Sequence, residues 1–393
     1  MGLRTIIFSA KALRAFGDGM MSILIARYAV ALGLPGWQAG AIATAALVGT
    51  ALATFLVGRY AERLGRRTVL LAGAVLGVGT GIGYAASVSF APLLLIAFLG
   101  TVNPTAGDVS AVLPVEQAIL GQAAEGPARV RVFAWYNVVG QFAAALGALA
   151  SGATVLISDA PGVGETGAIR WLFASYSLLA AVSLLFVLRL GKSAEVPAGS
   201  RRGGLGPSRR RVFTLSALFG TDAFAGGLVV QSIIALYLLQ KFDLDPATTG
   251  AIFFGASLMS AVSFLLSARL SSRFGLVNTM VFTHLPSNLL LAGVAFAPVA
   301  PLAVAFLLVR SFLSQMDVPP RQALVVSIVH AEERAAAAAY TGLTRSLSAT
   351  PGPTLGGALL GAWPPAPFIA CALLKSTYDA ALWALFRRAE HLP

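Results

Sequence analysis

Apolar and polar positions in this chain segregate into long blocks. They do not alternate within single turns. Apolar runs of about 20 residues or more, enough for a helix to cross the hydrocarbon core of a bilayer, fall near 9–33, 38–58, 68–89, 91–122, 130–157 and 168–189. A second set covers 212–240, 247–268, 277–297, 300–329, 335–361 and 366–386. Backbone groups in lipid must be paired within their own segment, so twelve such runs predict an all-α membrane protein with twelve transmembrane helices. Only residues 190–211 form a long stretch without an apolar period; they are rich in Gly, Ser, Pro and Arg. The expected organisation is therefore an N-terminal six-helix half (1–189), a basic cytoplasmic linker (190–211) and a C-terminal six-helix half (212–393).

Composition agrees with the pattern and changes one inference. Charged residues are 11% of the chain, where soluble domains carry about 25%, and mean hydropathy is +0.80. A net charge of +12 would suggest nucleic acid in a soluble protein. Here the placement of the charge excludes that partner. With the N-terminus in the cytoplasm, 21 of the 28 Lys and Arg fall on the inner side, only Arg170 and Lys241 fall outside, and five lie within helices. The positive-inside rule then puts both termini in the cytoplasm, as for a multi-pass protein of a bacterial inner membrane. Trp37, Trp171 and Trp363 fall at outer helix ends and Trp135 and Trp383 at inner ones, as an interfacial belt requires. The first apolar run contains Asp18 and continues as a full span, so a cleavable signal is not expected. The single cysteine, Cys371, excludes an internal disulfide and argues against a thiolate metal site. With no phosphate-binding loop, metal-ligand cluster or nucleophile triad, neither an enzyme nor a cofactor is expected.

The halves repeat. Phe16-Gly17-Asp18 matches Phe219-Gly220-Thr221-Asp222, Asp108-Val109 matches Asp317-Val318, and Glu116-Gln117-Ala118 matches Arg321-Gln322-Ala323. Gly147 and Gly152 align with Gly352 and Gly357. With six spans per half the copies insert the same way up, related by an axis along the membrane normal.

Between the second and third runs lies Gly58-Arg59-Tyr60-Ala61-Glu62-Arg63-Leu64-Gly65-Arg66-Arg67, too charged for lipid and hence a short loop. Its echo, Ala268-Arg269-Leu270-Ser271-Ser272-Arg273-Phe274-Gly275, lies 210 residues later with Arg59/Arg269, Arg63/Arg273 and Gly65/Gly275 in register. The pattern G-x-x-x-(D/E)-R-x-G-R-R between hydrophobic helices resembles the signature loop of the major facilitator superfamily, in particular its drug/proton antiporters. The resemblance implies two pseudo-symmetric six-helix bundles around a central cavity, working by alternating access as a monomer. It also implies that Gly58, Glu62, Arg63, Gly65, Arg66 and Arg67 latch the cytoplasmic side. Glu62 stands where the family usually has Asp.

Ionisable groups within spans cost at least a few kcal/mol each and are functional candidates. There are eleven: Asp18, Arg27, Asp108, Glu116, Asp222, Arg310, Asp317, Arg321, Arg345, Lys375 and Asp379. Eight lie on the first, fourth, seventh and tenth spans, the helices that the resemblance places around the cavity. Asp18 and Asp222 lead as proton-coupling groups, followed by Asp108 and Asp317. Asn103, Glu116, Arg310, Ser314, Arg321 and Arg345 are candidates for the substrate cavity; Arg310, Asp317 and Arg321, spaced 7 and 4, share one helix stripe. Lys375 and Asp379 read as a mutually neutralising i,i+4 pair. His284 reads as structural.

Prolines in Asn103-Pro104, Leu113-Pro114 and Val318-Pro319-Pro320 interrupt corresponding fourth and tenth spans, which is a pointer to a transporter's binding site. Gly352-Pro353-Thr354-Leu355-Gly356-Gly357 resembles the G-P-x-x-G-G element that family exporters carry on the fifth span, displaced here to the eleventh. The expected function is proton-coupled efflux of small organic or toxic compounds. The alternative is uptake or exchange of a polar or anionic solute, for which the arginines at 310, 321 and 345 suit a carboxylate or phosphate.

Overall fold

The computed structural model describes residues 2–34, 36–102, 110–191, 194–195, 205–244 and 246–387. Their regular structure is helical. Long apolar runs gave continuous helices in α1 (Leu3–Ala31), α2 (Gly36–Leu64), α3 (Arg66–Ala86), α8 (Gly164–Leu188), α11 (Pro246–Phe274), α12 (Leu276–Phe296) and α17 (Ala366–Phe386). The other five spans are each built from two helices. They are α4 (Phe90–Leu99) with α5 (Leu113–Gln122), α6 (Gly126–Ala150) with α7 (Ala153–Ser158), and α9 (Arg209–Gly227) with α10 (Gln231–Phe242). The last two are α13 (Ala300–Ser314) with α14 (Val318–Ser327), and α15 (Arg334–Ala349) with α16 (Gly352–Ala362).

Among the described residues, eight of the twelve expected spans are long and apolar enough to cross a membrane by length and composition. Residues 103–109 of the fourth span lie outside the described residues. Large apolar side chains point outward all along the helices: Leu149, Leu156 and Leu289 are each at least 75% exposed. On a soluble protein so extensive an apolar surface would drive aggregation; here lipid covers it.

Prolines and glycines mark three of these joints. Pro319 and Pro320 sit in the first turn of α14, where their missing N–H groups cost nothing. A 3-10 turn, Gln315–Asp317, joins α13 to α14. The tenth span tightens at this turn and continues as helix from Ala300 to Ser327. Pro114 likewise opens α5. The exporter-like element opens α16, and its glycines are packing surfaces: a Cβ on Gly352 would overlap the Gly227 backbone, and one on Gly356 the Leu228 carbonyl. Gly19 and Gly147 similarly admit the backbones of Ala144 and Phe16 between α1 and α6.

The chain forms two compact units. One comprises Met1–Ala123, Val139–Gly204 and Ala331–Ala339; the other comprises Ala124–Val138, Leu205–His330 and Tyr340–Pro393. The short segments 124–138 and 331–339, where α6 and α15 begin, therefore belong to the unit of the opposite sequence half. The core of the first unit gathers Met20, Leu24, Tyr28, Tyr84 and Phe173. That of the second gathers Tyr237, Leu291, Leu307, Phe368 and Cys371.

Candidate functional site

The signature loop builds a buried network in the first unit. Gly65 turns α2 into α3 within one residue at φ +94°, and Gly275 does the same between α11 and α12 at φ +87°; both conformations suit glycine. That turn sets Glu62 and Arg66 face to face across one helical turn, Nη2 to Oε1 at 2.8 Å. Arg66 is fully buried. It also donates to Gln122 Oε1 at 2.7 Å and to the Ala331 carbonyl at 3.1 Å. The Glu62 carboxylate accepts from the Ala335 backbone N–H, in the first turn of α15. The longer Glu side chain thus does reach a helix N-terminus, where an anion is favoured. A Cβ on Gly58 would overlap that of Ala339. Arg63 is exposed and Arg67 donates to the Leu188 carbonyl at 2.8 Å.

One member of this network lies outside the motif. Glu195 accepts from the backbone N–H groups of Arg66 and Arg67, at 2.9 and 3.0 Å, and so caps α3. It is the single acid in the 190–211 stretch, and that isolation was the available signal.

The first unit also holds Arg14 and Glu116 in a bidentate pair at 2.7 and 2.6 Å, with Glu116 buried. Glu116, a substrate candidate in sequence, is thereby engaged by a cation counted among the cytoplasmic ones. Asp18 is buried on α1. Arg27 points elsewhere, to Glu165 at 2.6 Å, and both are largely exposed. A cavity of about 410 Å³ has mainly apolar walls, with Arg14, Thr101, Glu116 and Tyr176 among its polar lining. Asn103 and Asp108 lie outside the described residues.

The charges of the second unit converge. Asp222, buried on α9, receives Lys375 Nζ of α17 at 2.5 Å and Arg345 Nη1 of α15 at 2.9 Å, with Arg321 Nη1 of α14 at 3.6 Å. The absence of a nearby cation in sequence did not survive folding, since all three come from distant segments. Arg321 also holds Asp317 at 2.8 Å. The expected Lys375/Asp379 pair is replaced: Lys375 goes to Asp222, while Asp379 accepts from Asn288 Nδ2 at 2.9 Å and meets His284 Nδ1 at 2.9 Å. His284, which reads as structural in sequence, stands between two carboxylates, with its Nε2 3.9 Å from Asp222.

Arg310 lies within electrostatic range of Asp222. Its Nε is buried without a hydrogen-bond partner, as is the Tyr378 hydroxyl. Ser314 is half-buried at the end of α13. The cluster therefore sets four cationic side chains (Arg310, Arg321, Arg345, Lys375) against three carboxylates, Asp222, Asp317 and Asp379. It retains two unused donors. Among the described residues no group of three or more metal-ligating side chains forms.

Known proteins supply an independent comparison. The chain is 22% identical over 389 residues to the uncharacterized membrane protein YJR124C of Saccharomyces cerevisiae, covering 90% of this chain and 87% of that one. Its fold matches that of the human organic anion transporter MFSD10 (TETRAN) with a TM-score of 0.75 at 18% identity, over 97% of this chain and 98% of that one. It matches FucP, the fucose:proton symporter of Escherichia coli, at 0.79 and 14%, over 96% and 97%. A bacterial homologue of the iron transporter ferroportin matches at 0.77 and 14%, over 99% and 100%. The profile of the Major Facilitator Superfamily matches residues 7–314 and again 217–393. Signature loop, helical architecture and profile agree, and the chain belongs to the Major Facilitator Superfamily, a family of transporters.

Proposed function

We propose that this chain is a proton-coupled secondary transporter whose second unit binds the anionic group of a small organic solute. The supporting observation is Asp222 ringed by Lys375, Arg345 and Arg321. A buried carboxylate held by three cations is an internal stand-in for a solute carboxylate or phosphate. A solute carboxylate or phosphate that competes with Asp222 can take up the ammonium and the planar guanidinium forks. The unpartnered Arg310 Nε and Tyr378 hydroxyl supply further donors, since buried donors left unmade are costly. Fold neighbours that carry an organic anion, or a sugar together with a proton, are compatible with this reading. The protein would work as a monomer in the plasma membrane with both termini in the cytoplasm, one half rocking against the other.

The test is counterflow in proteoliposomes with radiolabelled benzoate, succinate and inorganic phosphate. The expected result is exchange of at least one of the three, reduced tenfold or more by Arg345→Gln. Exchange of none would overturn the reading.

Efflux of apolar toxic compounds is the second reading, favoured by the apolar 410 Å³ cavity of the first unit. Protection of a pump-depleted bacterial host across a toxic-compound panel, lost in Asp222→Asn, would put it first.

A further inference from the structure

Asp379 is fully buried, and among the described residues no ammonium or guanidinium lies within 4.0 Å of it. Its ionic partner is the His284 imidazole at 2.9 Å, and Asn288 holds its other oxygen at 2.9 Å. A buried carboxylate without a matching positive charge is expensive. A proton held between His284 and Asp379 would supply that match.

We infer that His284 and Asp379 form the proton-binding site of the transporter, and that Lys375 reports its state to the anion site. This rests on the anion-binding reading above and adds the place where the proton sits. Lys375 lies one turn before Asp379 on α17, the i,i+4 spacing at which side chains meet, yet it is engaged with Asp222. Loss of the proton leaves Asp379 bare, and Lys375 is the cation on its own helix able to swing to it. Asp222 then keeps only Arg345 and Arg321. Uptake of the proton returns Lys375 to the anion site and raises the charge of the cluster by one, which one carboxylate of a solute balances. The pair that reads as fixed in sequence becomes the second state of a switch, and the proton is conserved: it enters from water, resides on the imidazole, and leaves to water.

The charged and titratable groups around the imidazole are set by the packing of α12. From α17 come Asp379, Lys375 and the Tyr378 ring, whose centroid is 6.1 Å away. From α9 comes Asp222. Arg310 lies on α13, whose carbonyl at that residue accepts from Ser287 at 3.5 Å. Asp317 occupies the 3-10 turn, and Arg321 lies on α14.

The chain has three histidines, so His330→Asn with His391→Asn leaves His284 alone for ¹⁵N-histidine NMR in lipid nanodiscs. The expected result is an imidazole signal that passes between charged and neutral forms over about pH 5 to 8, where imidazole changes charge. Asp379→Asn should displace its midpoint by about one pH unit, a tenfold change in proton affinity. A signal locked in one form overturns the inference even if Asp379→Asn fails to fold, and so does a midpoint indifferent to that substitution. In proteoliposomes, His284→Gln should lower pH-gradient-driven benzoate accumulation at least tenfold more than it lowers benzoate counterflow; equal losses count against the inference. Failure of the unsubstituted protein to exchange any test anion would overturn the proposed function, whereas the imidazole titration would still decide whether His284 and Asp379 share a proton.

Discussion

Asp222→Asn is the most informative perturbation, because it removes the carboxylate on which three distant segments converge. At an effective dielectric constant of about 20, one ion pair at the 2.9 Å of Arg345 is worth about 6 kcal/mol. Burial of each ion takes back several kcal/mol, so the measured cost of deleting one partner of a buried pair is about 3–5 kcal/mol. Arg321 retains Asp317 at 2.8 Å, so the loss falls on Lys375 and Arg345. The assay is thermal melting of the detergent-solubilised protein followed by size-exclusion fluorescence, for Asp222→Asn, Lys375→Met and the double variant. The single aspartate change should destabilise by about 3–5 kcal/mol. The double variant, which deletes a charge of each sign, should recover part of that loss, giving a coupling of about 0.5–3 kcal/mol. Benzoate at about 100 times its Kd should add about 2.7 kcal/mol to Asp222→Asn, because it replaces the missing carboxylate. An Asp222→Asn protein that melts with the wild type, or strictly additive losses in the double variant, would refute the reasoning.

Three further outcomes are expected. Glu62→Gln removes the counter-charge of fully buried Arg66 and weakens the cap on α15, so a cysteine placed at Ala339 in a Cys371→Ala background should label faster, with solute exchange retained; unchanged labelling and unchanged transport would count against it. Glu195→Ala uncaps α3 and should cost about 0.5–2 kcal/mol, with Glu195→Gln costing less; melting points equal to wild type for both would remove the capping role. Gly352→Val should abolish folded expression because its Cβ meets the Gly227 backbone, whereas Gly361→Ala, with open space around it, should express normally; similar yields of the two would refute the packing argument.

The helical class and membrane character were legible in the sequence because lipid imposes them segment by segment. An apolar run long enough to span must satisfy its own backbone, whatever its neighbours are. The signature motif was legible in its spacing but not as a loop: residues 58–64 and 66–67 are helical and Gly65 alone makes the turn, while Glu62 and Arg66 meet at a one-turn spacing that can be read without a fold. Pro114, Pro319 and Pro320 were legible as well, and each lies in the first turn of a helix, α5 or α14.

Partnership among the intramembrane charges was decided only by tertiary structure. Lys375 and Asp379 have ideal helical spacing, yet Lys375 goes to Asp222, 153 residues away, and Asp379 to His284, 95 residues away. The physical reason is that inside a membrane each charge binds whichever compensating group the packing of several helices brings within reach, at energies that exceed the few tenths of a kcal/mol of an i,i+4 pair. The same holds for Glu195, whose value lies in the two N–H groups that folding presents to it. Sequence alone established a polytopic transporter-like chain with costly buried charges. Folding decided which of those charges pair, which converge on Asp222, and where an imidazole joins two carboxylates.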